Sequence, residues 1–293
     1  MTNPTTTTAA ASAPRPLLAK NLDVYGLTHP GLVRQTNEDH FLVCSLQKIM
    51  QVHSTSLPDS PLLTQSERLA FLALVADGVG GANAGEEASR IALEHVTRYV
   101  EKSLQTYYTG DPDDDDAFMH ELEDAALKVH AEIAAEGEGD RARRGMATTL
   151  TLWLGVGSNA YLLQVGDSRC YILRHGELIQ ISRDQTMAEE FVEQGVFGRT
   201  DAAYKRWSNV LSSAIGGAQA APTVTRVTQS VGSVGLMCSD GLTRNVPDER
   251  IRERLLAMTS SRAACEALLQ DALDAGGEDN ITIIIGRPAN SQE

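Results

Sequence analysis

The chain lacks any apolar run near the ~20 residues that cross a bilayer, so no membrane-spanning helix is expected. It lacks a basic excess. Lys plus Arg total 25 against 39 Asp plus Glu, a formal net charge of -14. With no basic block to offset this, nucleic acid and anionic membrane surfaces are excluded as expected partners. It also lacks paired cysteines. Cys44, Cys170, Cys238 and Cys265 stand far apart, with no CxxC and no Cys/His cluster, which argues against zinc. Three of the four sit in apolar or strand-like surroundings, the setting of free thiols in a reducing compartment. The start, MTNPTTTTAAASAPRP, has no basic segment leading into an apolar one. A secretory signal is therefore not expected, and the expected location is cytoplasmic. Its Thr/Ala/Pro bias reads as a disordered tail over residues 1–19.

What is present fits one large domain over 20–287, followed by a short tail at 288–293. LDVYGLTHPG and NEDHFLVCSL alternate like two strands, expected to pair as a hairpin. Gln47 to Glu67 is polar, with Pro58 and Pro61, and reads as an irregular insertion. RLAFLALVAD is a buried strand. Ala84–Leu104 and Phe118–Ala135 have helical spacing, separated by TGDPDDDDAF, which reads as a solvated loop. GEGDRARR reads as a loop. Short strands follow in ATTLTLWLGV, NAYLLQVGD, RCYILRHGE and LIQIS. DQTMAEEFVEQG is helical up to Gly195, and 196–209 reads as irregular. TVTRVTQ and SVGLMCSD return to strand, DERIRERLLAM and SRAACEALLQDALDAGG to helix, and ITIIIG closes as a strand. Regular βα alternation is absent. This order fits an α+β fold, with antiparallel sheets covered by helix pairs.

Carboxylates mark the ends of the apolar strands. Asp77 follows FLALVA, Asp167 follows YLLQVG, and Asp240 follows VGLMCS; Asp279 and Asp39 each stand just before another strand. Asp and Gly also mark ordinary turns. If these ends converge, the acids cannot all ionise without cations between them. Oxygen ligands without Cys or His select Mg²⁺ or Mn²⁺. Several carboxylates suggest two ions about 3.5–4 Å apart, an arrangement that forms a bridging hydroxide suited to phosphate esters. Asp77 could bridge the ions, with Gly78 letting its carbonyl approach one, and Gly80 and Gly81 letting the chain turn away. Arg34, five residues before Asp39, is a candidate phosphate clamp, with an ordinary surface arginine as the alternative.

In order, the motifs are GLVRQTNED (31–39), VADGVGG (75–81), GMATTLT (145–151), VGDSR (165–169), SRDQT (182–186), NVLSSAIGG (209–217), CSDGL (238–242) and GEDNIT (277–282). Together they resemble the metal-dependent serine/threonine protein phosphatases of the 2C type, the PPM family, in their bacterial form. The resemblance implies a central sandwich of two antiparallel sheets with a helix pair on each outer face. It implies hydrolysis of phosphoserine and phosphothreonine on proteins by metal-activated water, as a monomer opposing a cognate Ser/Thr kinase. Carried over, Asp77, Asp240 and Asp279 would hold one ion. Asp77 and the Gly78 carbonyl would hold the second, with Glu38 and Asp39 acting directly or through water. Asp167 and Asp240 match a third, weaker ion site. Arg34 would hold the phosphate, with Asp39, Asp77 and Asp240 completing the catalytic set. Residues 186–209 match a variable flap.

There are departures. Val79 stands where animal relatives often carry a His, Ala147 where Gly is common, and Gln185 where His is frequent, so no role is expected for the Gln185 side chain. His29 and His40 read as polar surface or satisfied core residues. A haloacid-dehalogenase reading fails at Val79, where that family needs an acid. A catalytically silent binding module and a calcium-binding sandwich are the readings from other classes. The complete acid set weighs against the first, and Arg34 against the second.

Overall fold

The computed structural model describes residues 22–49, 66–80, 84–109, 115–157, 159–228 and 232–289. The first strand, β1 (Leu22–His29), does not pair with the second. It pairs with the last, β11 (Ile281–Pro288), and the sheet continues through β10 (Val234–Cys238), β7 (Arg169–Arg174) and β8 (Glu177–Gln180). The other sheet runs β2 (Asp39–Ile49), β3 (Ser66–Val79), β5 (Leu150–Val156), β6 (Asn159–Val165) and β9 (Thr223–Thr228), with β4 (Ala147–Thr148) on the end of β3. All pairings are antiparallel.

Strand alternation divides the apolar residues among layers. On β3, Leu72, Leu74 and Ala76 face α1 (Ala84–Thr109) and α2 (Asp115–Gly139), meeting Ala88, Val96 and Ile133 in one core. Its Ala73 and Val75 face the opposite sheet, where they join Leu162, Cys170, Met237 and Ile284. On β11, Ile281, Ile283 and Ile285 face α6 (Asp248–Leu256) and α7 (Ser261–Asp274). The result is the expected four-layer arrangement, helices outside two antiparallel sheets.

The expected hairpin is wrong. β1 and β2 lie in different sheets, and residues 30–38 cross between them. Asn280 holds the crossing, donating to the carbonyls of Pro30 at 3.0 Å and Thr36 at 2.9 Å. The insertion expected at 47–67 is shorter, because the β2–β3 ladder continues through Gln47↔Arg68 to Ile49↔Ser66. Polar residues are tolerated there because β2 is an edge strand. The rest of that insertion lies outside the described residues.

α1 and α2 also outrun the apolar periodicity, and part of the acidic run is not a solvated loop. Asp115 opens α2, accepts from the Tyr161 hydroxyl at 2.5 Å and pairs with Arg226. GEGDRARR splits between the end of α2 and a 3-10 turn at Arg141–Arg143. Residues 196–209 are not wholly irregular: α4 (Ala202–Trp207) stands there, beside α3 (Met187–Glu193). Trp207 and Phe197 pack edge-on against Phe191, while Glu189 accepts from Arg199 and Tyr204.

Candidate active site

The β2–β3 register sets Asp39 directly opposite Asp77. Like charges so placed are destabilising unless something neutralises them. Asp77 lies on the same strand face as Val75 and Ala73, toward the other sheet. From that sheet come Asp240, which opens the short helix α5 (Asp240–Thr243) after β10, and Asp279, just ahead of β11. Backbone pairing of Ser239 with Thr282 at 3.1 Å aligns these two ends. Four strands thus deliver four carboxylates to one edge of the sandwich.

Asp39 ties the sheets together. Its Oδ2 accepts from the Ser239 and Thr282 hydroxyls at 2.7 Å each, while its Oδ1 is buried without a hydrogen-bond partner. Burial, with neighbouring acids adding to it, pushes Asp39 up to about 7 and Asp167 up to about 8. Burial also pushes Asp240 up to about 6, with the Arg244 guanidinium restraining the rise. Burial and the surrounding Asp39 and Asp240 carboxylates raise Asp77 well above the usual carboxylate range. Glu38 is also raised by burial.

The GMATT segment explains why Asp77 is fixed. Thr149 Oγ1 accepts from the Asp77 N–H at 3.0 Å; the Asp77 carbonyl accepts from Thr148 Oγ1 and the Thr149 N–H, both at 2.9 Å. Ala147, in place of the common Gly, simply pairs with Val79 in β4. A Cβ on Gly78 would stand 2.3 Å from the Gly85 carbonyl oxygen, so Gly78 lets the first turn of α1 dock on the strand end. The Gly78 N–H donates to the Glu38 carbonyl at 3.2 Å. Gly81 lies outside the described residues. Near Asp167, Gly166 holds φ at 103° and its N–H donates to Gln185 Oε1 at 2.8 Å. Gln185 also donates to the Ala221 carbonyl at 2.8 Å. It therefore does have a role, fastening the base of the 186–209 segment beside Asp167.

Arg34, 54% exposed, donates to Asp279 Oδ2 at 2.8 Å. Arg244, not singled out from the sequence, pairs with Asp240 and, at 3.0 Å, with Asp279. Its position four residues after Asp240, at helical spacing, was the available signal. Asn280, Ser239, Thr282 and Thr149 were also missed; each is a polar residue beside a quoted acid or inside a quoted motif. Among the described residues, no three His, Cys, Asp or Glu side chains already surround one point as an ion requires. Guanidinium groups reach the Asp240 and Asp279 carboxylates instead. The residues nevertheless fit a hard divalent cation: the donors are all oxygen, one buried acceptor is bare, and burial opposes their charge.

The model of the family described as "Protein phosphatase 2C" matches residues 54–276. The chain belongs to the protein phosphatase 2C family. It is 33% identical over 216 residues to the serine/threonine protein phosphatase PstP of Mycobacterium tuberculosis, a match covering 74% of this chain but only 40% of that protein. It is 30% identical over 224 residues to the serine/threonine phosphatase stp of Listeria monocytogenes, covering 73% of this chain and 83% of that one. The crystal structure of the PstP catalytic domain in complex with two manganese ions superposes with a TM-score of 0.69 at 30% identity, covering 91% of this chain and 97% of that chain.

In this member of the 2C family, His29 and His40 are each held in a hydrogen bond. His29 Nδ1 accepts from the Gly31 N–H at 3.0 Å, and His40 Nδ1 bonds Ser89 Oγ at 2.9 Å on the helix side of β2. Val79 is exposed at the mouth of the site. No helix among the described residues is long and apolar enough to cross a membrane.

Proposed function

We propose that the chain is a metal-dependent phosphatase acting on phosphoserine and phosphothreonine in proteins. The observation that carries the reading is the opposition of Asp39 and Asp77 across β2 and β3, faced by Asp240 and Asp279 from the other sheet. Asp77, Asp240 and Asp279 would hold one Mn²⁺ or Mg²⁺ ion. Asp77 and the Gly78 carbonyl would hold a second, supported by Glu38 and Asp39, with Asp167 and Asp240 serving a weaker third. Ions held there activate water toward phosphorus and neutralise phosphate charge.

The chain's own residues do the rest. Thr148 and Thr149 fix the Asp77 backbone, so its carboxylate direction is set before substrate arrives. Ser239 and Thr282 orient Asp39. Arg34 is exposed enough to turn from Asp279 to a phosphate, which its planar fork matches bidentately. Among the described residues, the two histidines nearest the quoted motifs, His29 and His40, are each held in a hydrogen bond, and water is the proposed proton donor to the leaving group. The catalytic unit spans 20–287. It acts as a monomer in the cytoplasm and reverses a cognate Ser/Thr kinase.

Phosphate release from a phosphothreonine peptide tests the reading. Release should require Mn²⁺ or Mg²⁺ and stop on chelation. Metal-independent release, or none with either ion, would overturn it.

A further inference from the structure

At the end of the sandwich away from Asp77, the two sheets part. A cavity of about 390 Å³ opens between them, within the range of small-molecule pockets. Phe71 and Trp153 wall it on one side; Ile172, Met237 and Ile284 wall it on the other.

Its room is not forced by backbone geometry. Gly235 and Gly286 stand directly opposite each other on β10 and β11, and both line the cavity. A Cβ on Gly235 would find nothing nearer than the Gly286 carbonyl oxygen at 3.7 Å, and one on Gly286 nothing nearer than Val24 Cγ2 at 3.4 Å. Neither glycine takes a left-handed φ. Side chains could fill the space, and none does.

The mouth is polar in a specific way. Arg174 ends β7 on the same face as Cys170 and Ile172, so it follows them along the cavity wall. It is exposed and, among the described residues, makes no hydrogen bond or ion pair. Ser233 lies next to Val234, which pairs with Leu173, and so stands beside Arg174. Its hydroxyl is buried in the lining with no hydrogen-bond partner. The other arginines at the rim are engaged: Arg226 with Asp115, and Arg287 with Asp23 at 3.0 Å. An unpaired guanidinium and an orphaned hydroxyl, side by side above an apolar slot between two sheets, fit an anionic head on a slender apolar tail.

We propose that this cavity binds an unbranched medium-chain carboxylic acid. The tail lies between the sheets, and the carboxylate accepts from Arg174 and from the Ser233 hydroxyl. The site is separate from the carboxylate cluster, and its occupation involves no group assigned to hydrolysis.

Trp153 lines the cavity, and the other tryptophan, Trp207, sits on α4. In the full chain carrying Trp207→Phe, Trp153 emission reports occupancy directly. Titration with dodecanoate should give a saturable, single-site change, and dodecanol should bind at least tenfold more weakly. Arg174→Gln should weaken dodecanoate at least tenfold and leave dodecanol unaffected. Gly235→Leu, which fills the slot, should bind neither while retaining a cooperative thermal transition and wild-type phosphate release. Because Arg174 is on the surface, its variant keeps the test decisive even if Gly235→Leu folds poorly. The proposal is overturned by the absence of a saturable change, by dodecanol binding as tightly as dodecanoate, or by wild-type dodecanoate affinity in Arg174→Gln.

Discussion

Asp39 has one carboxylate oxygen with two hydroxyl donors and one with none, and that asymmetry sets expectations for its neighbours. Asp240 serves two of the proposed ion sites. Asp240→Asn should lower turnover by more than about 100-fold and weaken Mn²⁺ binding, with circular dichroism unchanged. A variant with wild-type rate and affinity would remove Asp240 from the site. Arg34 tests the phosphate contact separately. Arg34→Ala should raise KM and cut kcat/KM by roughly 10²-fold while metal affinity holds, and Arg34→Lys should restore only part, because a point charge does not reproduce the fork. Burial also makes the metal-free protein pH-sensitive. Asp39, Asp167 and Asp240 keep their protons up to about 7, 8 and 6. The unfolded chain releases those protons near ~4. Across that window the native state binds more protons, so stability falls as pH rises and levels off above the folded values. Melting in chelator between pH 5 and 9 should show this decline; a flat or rising Tm would contradict it.

At the scale of elements, the site depends on how strand ends are clamped. Thr149 takes the Asp77 N–H at 3.0 Å and meets Ser168 Oγ at 2.8 Å. Thr149→Val keeps the shape and leaves those buried groups short of a partner, which should cost about 1–3 kcal/mol and weaken Mn²⁺ binding. Thr149→Ser should recover most of the loss; urea unfolding of the three proteins checks both. The acids at strand ends were legible because an anion beside a buried apolar run is costly without a purpose. Helix and strand identity was legible from period. Pairing was not. Alternation tells which face of β1 is buried but not which strand lies beside it, and its partner is at the far end of the chain. Arg244 escaped as a partner of Asp279, and Gln185 as a partner of Gly166, because each pair meets only once intervening elements have folded, the α6–α7 pair for the first and the β7–β8 hairpin for the second. The Arg244–Asp240 pair has helical spacing, but the Arg34 and Arg244 contacts to Asp279 carry no periodic signal.

On the scale of the whole molecule, the carboxylates come from both sheets, so ions bound among them brace the sandwich as one body. Mn²⁺ at 100 times its Kd should add about 2.7 kcal/mol, and calorimetry should show a single transition moving upward. A shift confined to part of the transition would mean that only one sheet senses the metal. The partnership of β1 with β11 bears on how such a protein is made. Thr28 meets Thr282 at 2.8 Å across a separation of 254 residues. At ribosomal speeds of about 5–20 residues per second, the earlier strand waits roughly 13–50 s for its neighbour to be synthesised. Asp279 arrives with that neighbour, and the Asp240 strand shortly before it. Until then β1 has no strand partner and β10 lacks its partner on one side, leaving unpaired edges of the kind that chaperones hold. Because β11 is the strand that joins β1 to β10, the proposed ion site is complete only after β11 has cleared the ribosomal tunnel.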